Sequence, residues 1–117
     1  MLIHPTTGQL IKTDPTTYKP TAEVERHIIA RDQHCQFPTC HMPAHRSDLD
    51  HIHPFNHTHP KAGGQTVPEN LIALCRRHHG LKHRAGWTVQ RDTTTGHTTW
   101  TAPTGHHYTT HPHSYAA

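Results

Sequence analysis

The chain has 117 residues, of which 31% are hydrophobic and 16% charged, and its formal net charge is +3. This length fits one compact domain, and the scarce apolar material excludes a large core, so a disulfide or metal staple is expected. Three cysteines cannot all pair internally, and no apolar run approaches the roughly 20 residues that span a bilayer. Cysteine combined with histidine therefore indicates metal binding in a reducing, cytoplasmic compartment, without a membrane partner.

The first part of the chain divides into a leader and a helix. Residues 1–20 contain three prolines and little periodicity, which predicts an extended leader. A helix is predicted over 22–33, because Thr21 can cap its start. Val24 and Ile28 would form an i,i+4 apolar pair on one face of that helix.

The middle of the chain alternates between short regular elements and a long loop. Residues 48–53 alternate polar and apolar side chains, which predicts a strand, and 54–67 are predicted to be a loop. Residues 68–74 are interpreted as a turn or short helix with an apolar face. A second helix is predicted over 76–84.

The last part of the chain has the pattern of a β-hairpin. Strands are predicted over 87–91 and 98–101, joined by a turn at 93–96, with the two tryptophans as core plugs. Tyr108 could close a third strand. Residues 109–117 are predicted to be a polar tail.

Two short-spaced ligand pairs predict a metal site. The pairs are Cys35-x4-Cys40 and Cys75-x2-His78, and a tetrahedral zinc site takes two such pairs from distant segments. His41 is the competing fourth ligand, and buried free cysteines are the plainer interpretation. With 17 histidines in the chain, histidine spacings occur readily by chance, so the cysteine spacings have more weight.

A further group of residues follows in a characteristic order: Asp50-His51-Ile52, Pro54, Gly63-Gly64, Glu69-Asn70-Leu71, Leu74-Cys75, His78-His79 and Lys82. In order and spacing this group resembles the HNH endonuclease family, and residues 18–108 are similar to the HNH module of 13E12-repeat-type proteins. The resemblance implies a small α+β domain over 21–108. Its fold would be a zinc-stapled, treble-clef-like ββα-metal fold with a preceding helix and a following β-hairpin.

The resemblance also implies a metal-dependent DNA endonuclease with named roles for its catalytic residues. His51 would be the general base that activates water, while Asp50 and His79 would hold a divalent cation such as Mg²⁺ or Mn²⁺. Asn70 would fix the loop that holds the base. The structural Zn²⁺ would be held by Cys35, Cys40, Cys75 and His78.

Two questions about this site stay open in the sequence. His83 lies at i,i+4 from His79 and could be a third cation ligand or a surface histidine near DNA. Asp50 and His51 are adjacent, so a regular strand would direct them to opposite faces. Both can serve one site only if the strand ends or twists there.

The basic residues of the second predicted helix suggest DNA as the partner. Their contacts would be with phosphates and largely independent of base sequence, and the residues concerned are Arg76, Arg77, Lys82 and Arg84. One alternative function is a zinc-stapled nucleic-acid-binding module that does not cut. Another is a histidine-rich metal buffer, which the C-terminal histidines favour: His106, His107, His111 and His113.

Overall fold

The computed structural model of the chain describes residues 16–112. Most of the predicted leader, the end of the predicted tail and His113 lie outside the described residues. Within 16–112, no helix is long and apolar enough to cross a membrane. The elements are, in chain order, α1 (Ala22–Asp32), β1 (Asp48–His51), β2 (Leu71–Leu74), α2 (Arg76–Arg84), β3 (Thr88–Arg91), β4 (Thr98–Thr101) and β5 (His107–Thr110).

The predicted first helix is confirmed as α1. The Thr21 side chain accepts a hydrogen bond from Val24 N at 3.2 Å, which satisfies one of the free amides at the helix start. Val24 and Ile28 are fully buried, as their spacing predicted. The helix ends at Asp32 because Gln33 adopts a left-handed backbone conformation with φ of 65°.

Strands β1 and β2 form an antiparallel pair in which Asp50 lies opposite Ile72 and His51 opposite Leu71. The interpretation of 68–74 as a turn or short helix is wrong for its last four residues, which are β2. All four side chains of this strand are buried because two separate apolar clusters cover its two faces. A strand buried on both faces shows no alternation, so periodicity could not identify it.

An ion pair on α1 fastens this helix to β2 and to the turn before it. The Arg31 guanidinium lies 2.7 Å from Asp32 Oδ1, and Asp32 Oδ2 accepts a hydrogen bond from Ala73 N at 2.9 Å. Arg31 also donates to the carbonyls of Pro68 and Leu71, at 2.8 and 2.6 Å. These contacts fix the polypeptide on both sides of Asn70.

Strands β3, β4 and β5 form a separate antiparallel sheet in that order. The predicted hairpin is therefore extended by a third strand, which continues two residues beyond Tyr108 into the predicted tail. Thr110 Oγ1 and Trp100 Nε1 both donate to the carbonyl of Gln36, at 2.7 and 2.9 Å. The sheet is thereby tied to the loop that holds the first two cysteines.

Replacing Arg31 by alanine is expected to lower the free energy of unfolding by about 3 kcal/mol, because Asp32 would stay buried without its counter-charge. Urea unfolding of the metal-loaded protein measures the change. Arg26→Ala, an exposed arginine on the same helix, is the control and is expected to change the value by less than about 0.5 kcal/mol. Equal losses in the two variants would contradict the assignment.

Candidate active site and metal-binding groups

Three cysteines and one histidine come together between the loop after α1 and the start of α2. The ligand atoms of Cys35, Cys40, Cys75 and His78 all lie within 4.8 Å of one another. Cys40 Sγ is 4.0 Å from Cys75 Sγ, and His78 Nδ1 is 3.2 Å from Cys75 Sγ. The two ligand pairs that the sequence predicted are therefore brought into one group.

The separations in this group suit a tetrahedral metal ion. With metal–sulfur bonds of about 2.3 Å, sulfur atoms at the corners of a tetrahedron lie about 3.8 Å apart. Burial raises the pKa of the Cys35 thiol to about 12, against the lowering effect of backbone hydrogen bonds. Three sulfurs this close need a neighbouring cation to be thiolates together, so the residues present fit a bound metal ion.

The orientation of His78 is set by Phe37. The two rings are stacked with centroids 4.1 Å apart and an angle of 8° between their planes. This stacking directs Nδ1 of His78 toward the sulfurs. His41, the alternative ligand, lies outside the group and has its ring near that of His34.

A second group lies where the end of β1 meets α2. Asp50 Oδ1 is 3.1 Å from His79 Nδ1 and 3.2 Å from His83 Nε2. The i,i+4 spacing puts both imidazoles on the helix face that contacts β1. The structure thus brings His83 into the group, where the sequence had left its place open.

The chemistry of this group fits a divalent cation. His79 Nδ1 is buried and has no hydrogen-bond partner among the described residues, although Asp50 Oδ1 is close. Neighbouring ligands of an octahedral ion with bonds of about 2.1 Å are separated by about 3.0 Å, near the distances observed here. One carboxylate and two imidazoles are suitable ligands for several divalent metals.

Lys82 is located differently from the prediction that it contacts DNA. Its side chain is only 9% exposed, and its Nζ is 2.6 Å from both Asp50 Oδ2 and the carbonyl oxygen of His51. Helix periodicity places Lys82 on nearly the same face as His79 and His83, which the clustering of basic residues in the sequence concealed. Lys82 therefore holds one oxygen of Asp50 and leaves the other facing the histidines.

His51 lies next to this group and is itself buried. Its Nε2 is 2.8 Å from Thr66 Oγ1, and that hydroxyl donates to the carbonyl of Tyr18 at 3.4 Å. The Tyr18 ring is stacked on the His51 ring, with centroids 5.3 Å apart. Neither partner was identified from the sequence, which had assigned Tyr18 to the leader and Thr66 to a loop.

The surroundings of His51 favour its neutral form. Burial lowers the pKa of this histidine below its ordinary value. The Asp50 carboxylate acts in the opposite direction, while Lys82 and His57 lower the pKa further. A histidine with a lowered pKa is unprotonated near neutral pH and can accept a proton.

A cavity of about 170 Å³ joins the two parts of the site. Asp50, His51, His79 and His83 all line it, together with Tyr18 and three further side chains of the loop. Since β1 ends at His51, the two adjacent residues are not restricted to opposite faces of a longer strand. The end of the strand allows both to line one cavity.

Asn70 fixes the loop that follows His51. Its Oδ1 accepts a hydrogen bond from His53 N at 2.8 Å, and its Nδ2 donates to the carbonyls of His53 and Gln65. Any Cβ at Gly64 would clash with the His53 carbonyl and with the Asn70 amide. The loop is therefore closed tightly on Asn70, as the resemblance implied.

The remaining basic residues of α2 lie away from the Asp50 group. Arg76 is exposed and 3.9 Å from Asp48, and the Arg84 guanidinium is folded back over Gly80. At 100° per residue, Arg77 and Arg84 are on the opposite side of α2 from His79. They are not positioned to contact a phosphate bound at the cavity.

The C-terminal histidines are not gathered into a site within the described residues. His106 and His107 each contact a threonine hydroxyl, and His111 lies 3.3 Å from His97. None of them joins a group of three or more ligand atoms in residues 16–112. The structure gives the metal-buffer alternative no support there.

Comparison with known proteins identifies the middle of the chain. The family model for HNH endonucleases matches residues 35–85, the segment that contains both metal-ligand groups. The uncharacterized protein Rv3776 of Mycobacterium tuberculosis (strain ATCC 25618 / H37Rv) is 44% identical over 99 residues, which are 83% of this chain and 18% of that protein. The uncharacterized protein MT2160 of Mycobacterium tuberculosis (strain CDC 1551 / Oshkosh) is 43% identical over 99 residues, 83% of this chain and 16% of that protein. The chain spans less than a fifth of these relatives, and no solved structure matches it. The HNH match supports a nuclease or nucleic-acid-binding role.

The ligand assignment predicts different effects for two neighbouring histidines. His78→Ala is expected to lose most of the metal bound by the cysteine group, because three ligands remain where four are needed. His41→Ala is expected to retain one metal ion per chain, since His41 lies outside the group. Elemental analysis of the purified variants measures this. Retention in His78→Ala with loss in His41→Ala would reverse the assignment.

Proposed function

We propose that the chain is a metal-dependent DNA endonuclease that hydrolyses phosphodiester bonds. The observation that supports it most is the shared cavity, in which a buried neutral histidine faces the carboxylate–histidine group. Hydrolysis of a phosphodiester needs a base for the attacking water and a positive centre for the phosphate. The match to HNH endonucleases over 35–85 supports the same reaction.

In this proposal His51 is the general base. Its Nε2–H donates to Thr66 Oγ1, since the Thr66 hydroxyl uses its own proton for the carbonyl of Tyr18. This arrangement leaves Nδ1 without a proton and able to take one from water. The stacked Tyr18 ring and the loop fixed by Asn70 keep the imidazole in place.

The carboxylate–histidine group is the proposed site of the catalytic cation. Asp50, His79 and His83 would hold an ion such as Mg²⁺ or Mn²⁺, which when bound stabilises the charge on the phosphate and on the leaving oxygen. Lys82 orients Asp50 by holding Oδ2, so that Oδ1 stays directed at the two imidazoles. Lys82 also fixes the carbonyl of His51 and thereby links the base to the carboxylate.

The cysteine group is the proposed site of a structural Zn²⁺. Four protein ligands at tetrahedral spacing leave no open position for a substrate, which is typical of structural zinc. Zn²⁺ held by Cys35, Cys40, Cys75 and His78 would join the loop after α1 to α2. Its binding free energy would contribute to folding, which a chain with a small core requires.

Cleavage of supercoiled plasmid tests the proposed function. With Mg²⁺ or Mn²⁺ the protein is expected to nick the plasmid, and His51→Ala is expected to slow nicking about 100-fold or more. His59→Ala, an exposed histidine in the same loop, is the matched control and should cut at the normal rate. All proteins are compared at equal zinc content.

Two results would contradict the endonuclease proposal. One is the absence of cutting by the unmodified protein with any divalent cation, although it binds DNA. The chain would then be a zinc-stapled nucleic-acid-binding module. The other is cutting by His51→Ala at the unmodified rate, which would remove His51 from the role of base.

The hydroxyl of Thr66 has a separate expected effect. Thr66→Val keeps the shape of the side chain but removes the partner of His51 Nε2, so the tautomer and the ring position are no longer fixed. Cleavage is expected to fall between about 10- and 100-fold, as for other residues that position catalytic groups. Metal content should not change. An unchanged cleavage rate would show that Thr66 does not position the base.

A further inference from the structure

A groove of about 560 Å³ lies between the end of α2 and the three-stranded sheet. Lys82 and His83 form its edge on the helix side, and residues of β3, β4 and β5 form its floor. His83 also belongs to the carboxylate–histidine group. The groove is therefore continuous with the candidate active site.

The floor of the groove is the outward face of the sheet. Strand register puts Gln90 beside Thr99, and it puts Thr101 beside His107. Alternation directs these side chains away from Val89 and Trp100, which are buried on the inner face. The floor is a row of hydroxyl, amide and imidazole groups that no other element within 16–112 covers.

The chemistry of the groove suits a phosphodiester chain. No acidic side chain lines it, while one lysine and three histidines do. Threonine hydroxyls and glutamine amides donate hydrogen bonds to phosphate oxygens without requiring a particular base. A groove without carboxylates beside a cation-binding group avoids repulsion of a polyanion.

The arginines of α2 do not offer an equivalent surface next to the site. Arg77 and Arg84 are on the other side of the helix from His79. A strand with one phosphate at the cavity meets the groove first, because His83 borders both. We propose that this groove holds the nucleic-acid strand that flanks the scissile phosphate, an inference that rests on the proposed function.

Paired substitutions of opposite charge on the groove floor test this inference. Gln90→Glu and Thr99→Glu are expected to weaken DNA binding, whereas Gln90→Lys and Thr99→Lys are expected to strengthen it. A salt dependence of about 0.9 per phosphate contact corresponds to roughly an eightfold change in Kd at 0.1 M salt for each charge. Opposite effects of the two charges at one position cannot arise from unfolding alone.

Thr94→Glu and Thr94→Lys are the matched controls, since Thr94 is exposed on the β3–β4 turn, outside the groove. They are expected to change Kd less than about twofold, because an exposed charge beyond a Debye length is largely screened. Fluorescence anisotropy with a labelled DNA oligonucleotide, without added divalent cation, measures binding. The same oligonucleotide with Mn²⁺ measures cutting.

The outcomes separate this inference from the proposed function. If the unmodified protein cuts DNA but the groove variants bind like the Thr94 controls, the groove assignment is wrong and the endonuclease stands. If the groove variants shift Kd in opposite directions but nothing is cut, the groove stands as a binding surface and the endonuclease proposal fails. Absence of any DNA binding would overturn both.

Discussion

Pairing between β1 and β2 determines where the candidate functional residues lie. The register sets Asp50 opposite Ile72 and thus one residue before the end of β1. Because β2 leads through Cys75 directly into α2, the helix passes beside that carboxylate. The buried side chains of β2 fill both apolar clusters, so the position of this pair is fixed from two sides. Sliding the register by one residue would turn Asp50 away from α2 and separate the cavity from its ligands.

Helix α2 contributes ligands to both metal-binding groups through consecutive residues. His78 belongs to the cysteine group, and His79 belongs to the carboxylate group. Successive helical residues point about 100° apart, which is enough to direct the two imidazoles to different sides. The position of one group therefore constrains the position of the other. Distortion around the cysteines would rotate His79 and His83 relative to Asp50, so we infer that a structural metal also supports the catalytic geometry.

The sequence predicted features that depend on residue type and local spacing. The cysteine pairs and the i,i+4 histidines form groups in the structure, because short spacings survive any fold that contains those elements. Contacts between distant residues were not predictable: Thr66 is 15 residues from His51, and Lys82 is 32 from Asp50. A threonine in a loop and a lysine among basic residues have no local pattern that separates these roles from ordinary solvent exposure. Strand β2 was misassigned for a related reason, since burial on both faces depends on tertiary packing.

The electrostatics around Asp50 explain why this position suits a cation rather than a simple salt bridge. The carboxylate is 3% exposed, and an ionised carboxylate so buried needs compensating charge. Lys82 contacts only Oδ2, so Oδ1 is left facing two imidazoles with room for a positive centre among them. A second fixed lysine there would satisfy the carboxylate but exclude a phosphate oxygen. Two neutral histidines instead supply ligand lone pairs without adding charge, so a divalent ion would keep positive charge in excess for a phosphate. The single lysine on the rear oxygen is thus consistent with a site that orients its carboxylate while leaving the front of the cavity for substrate.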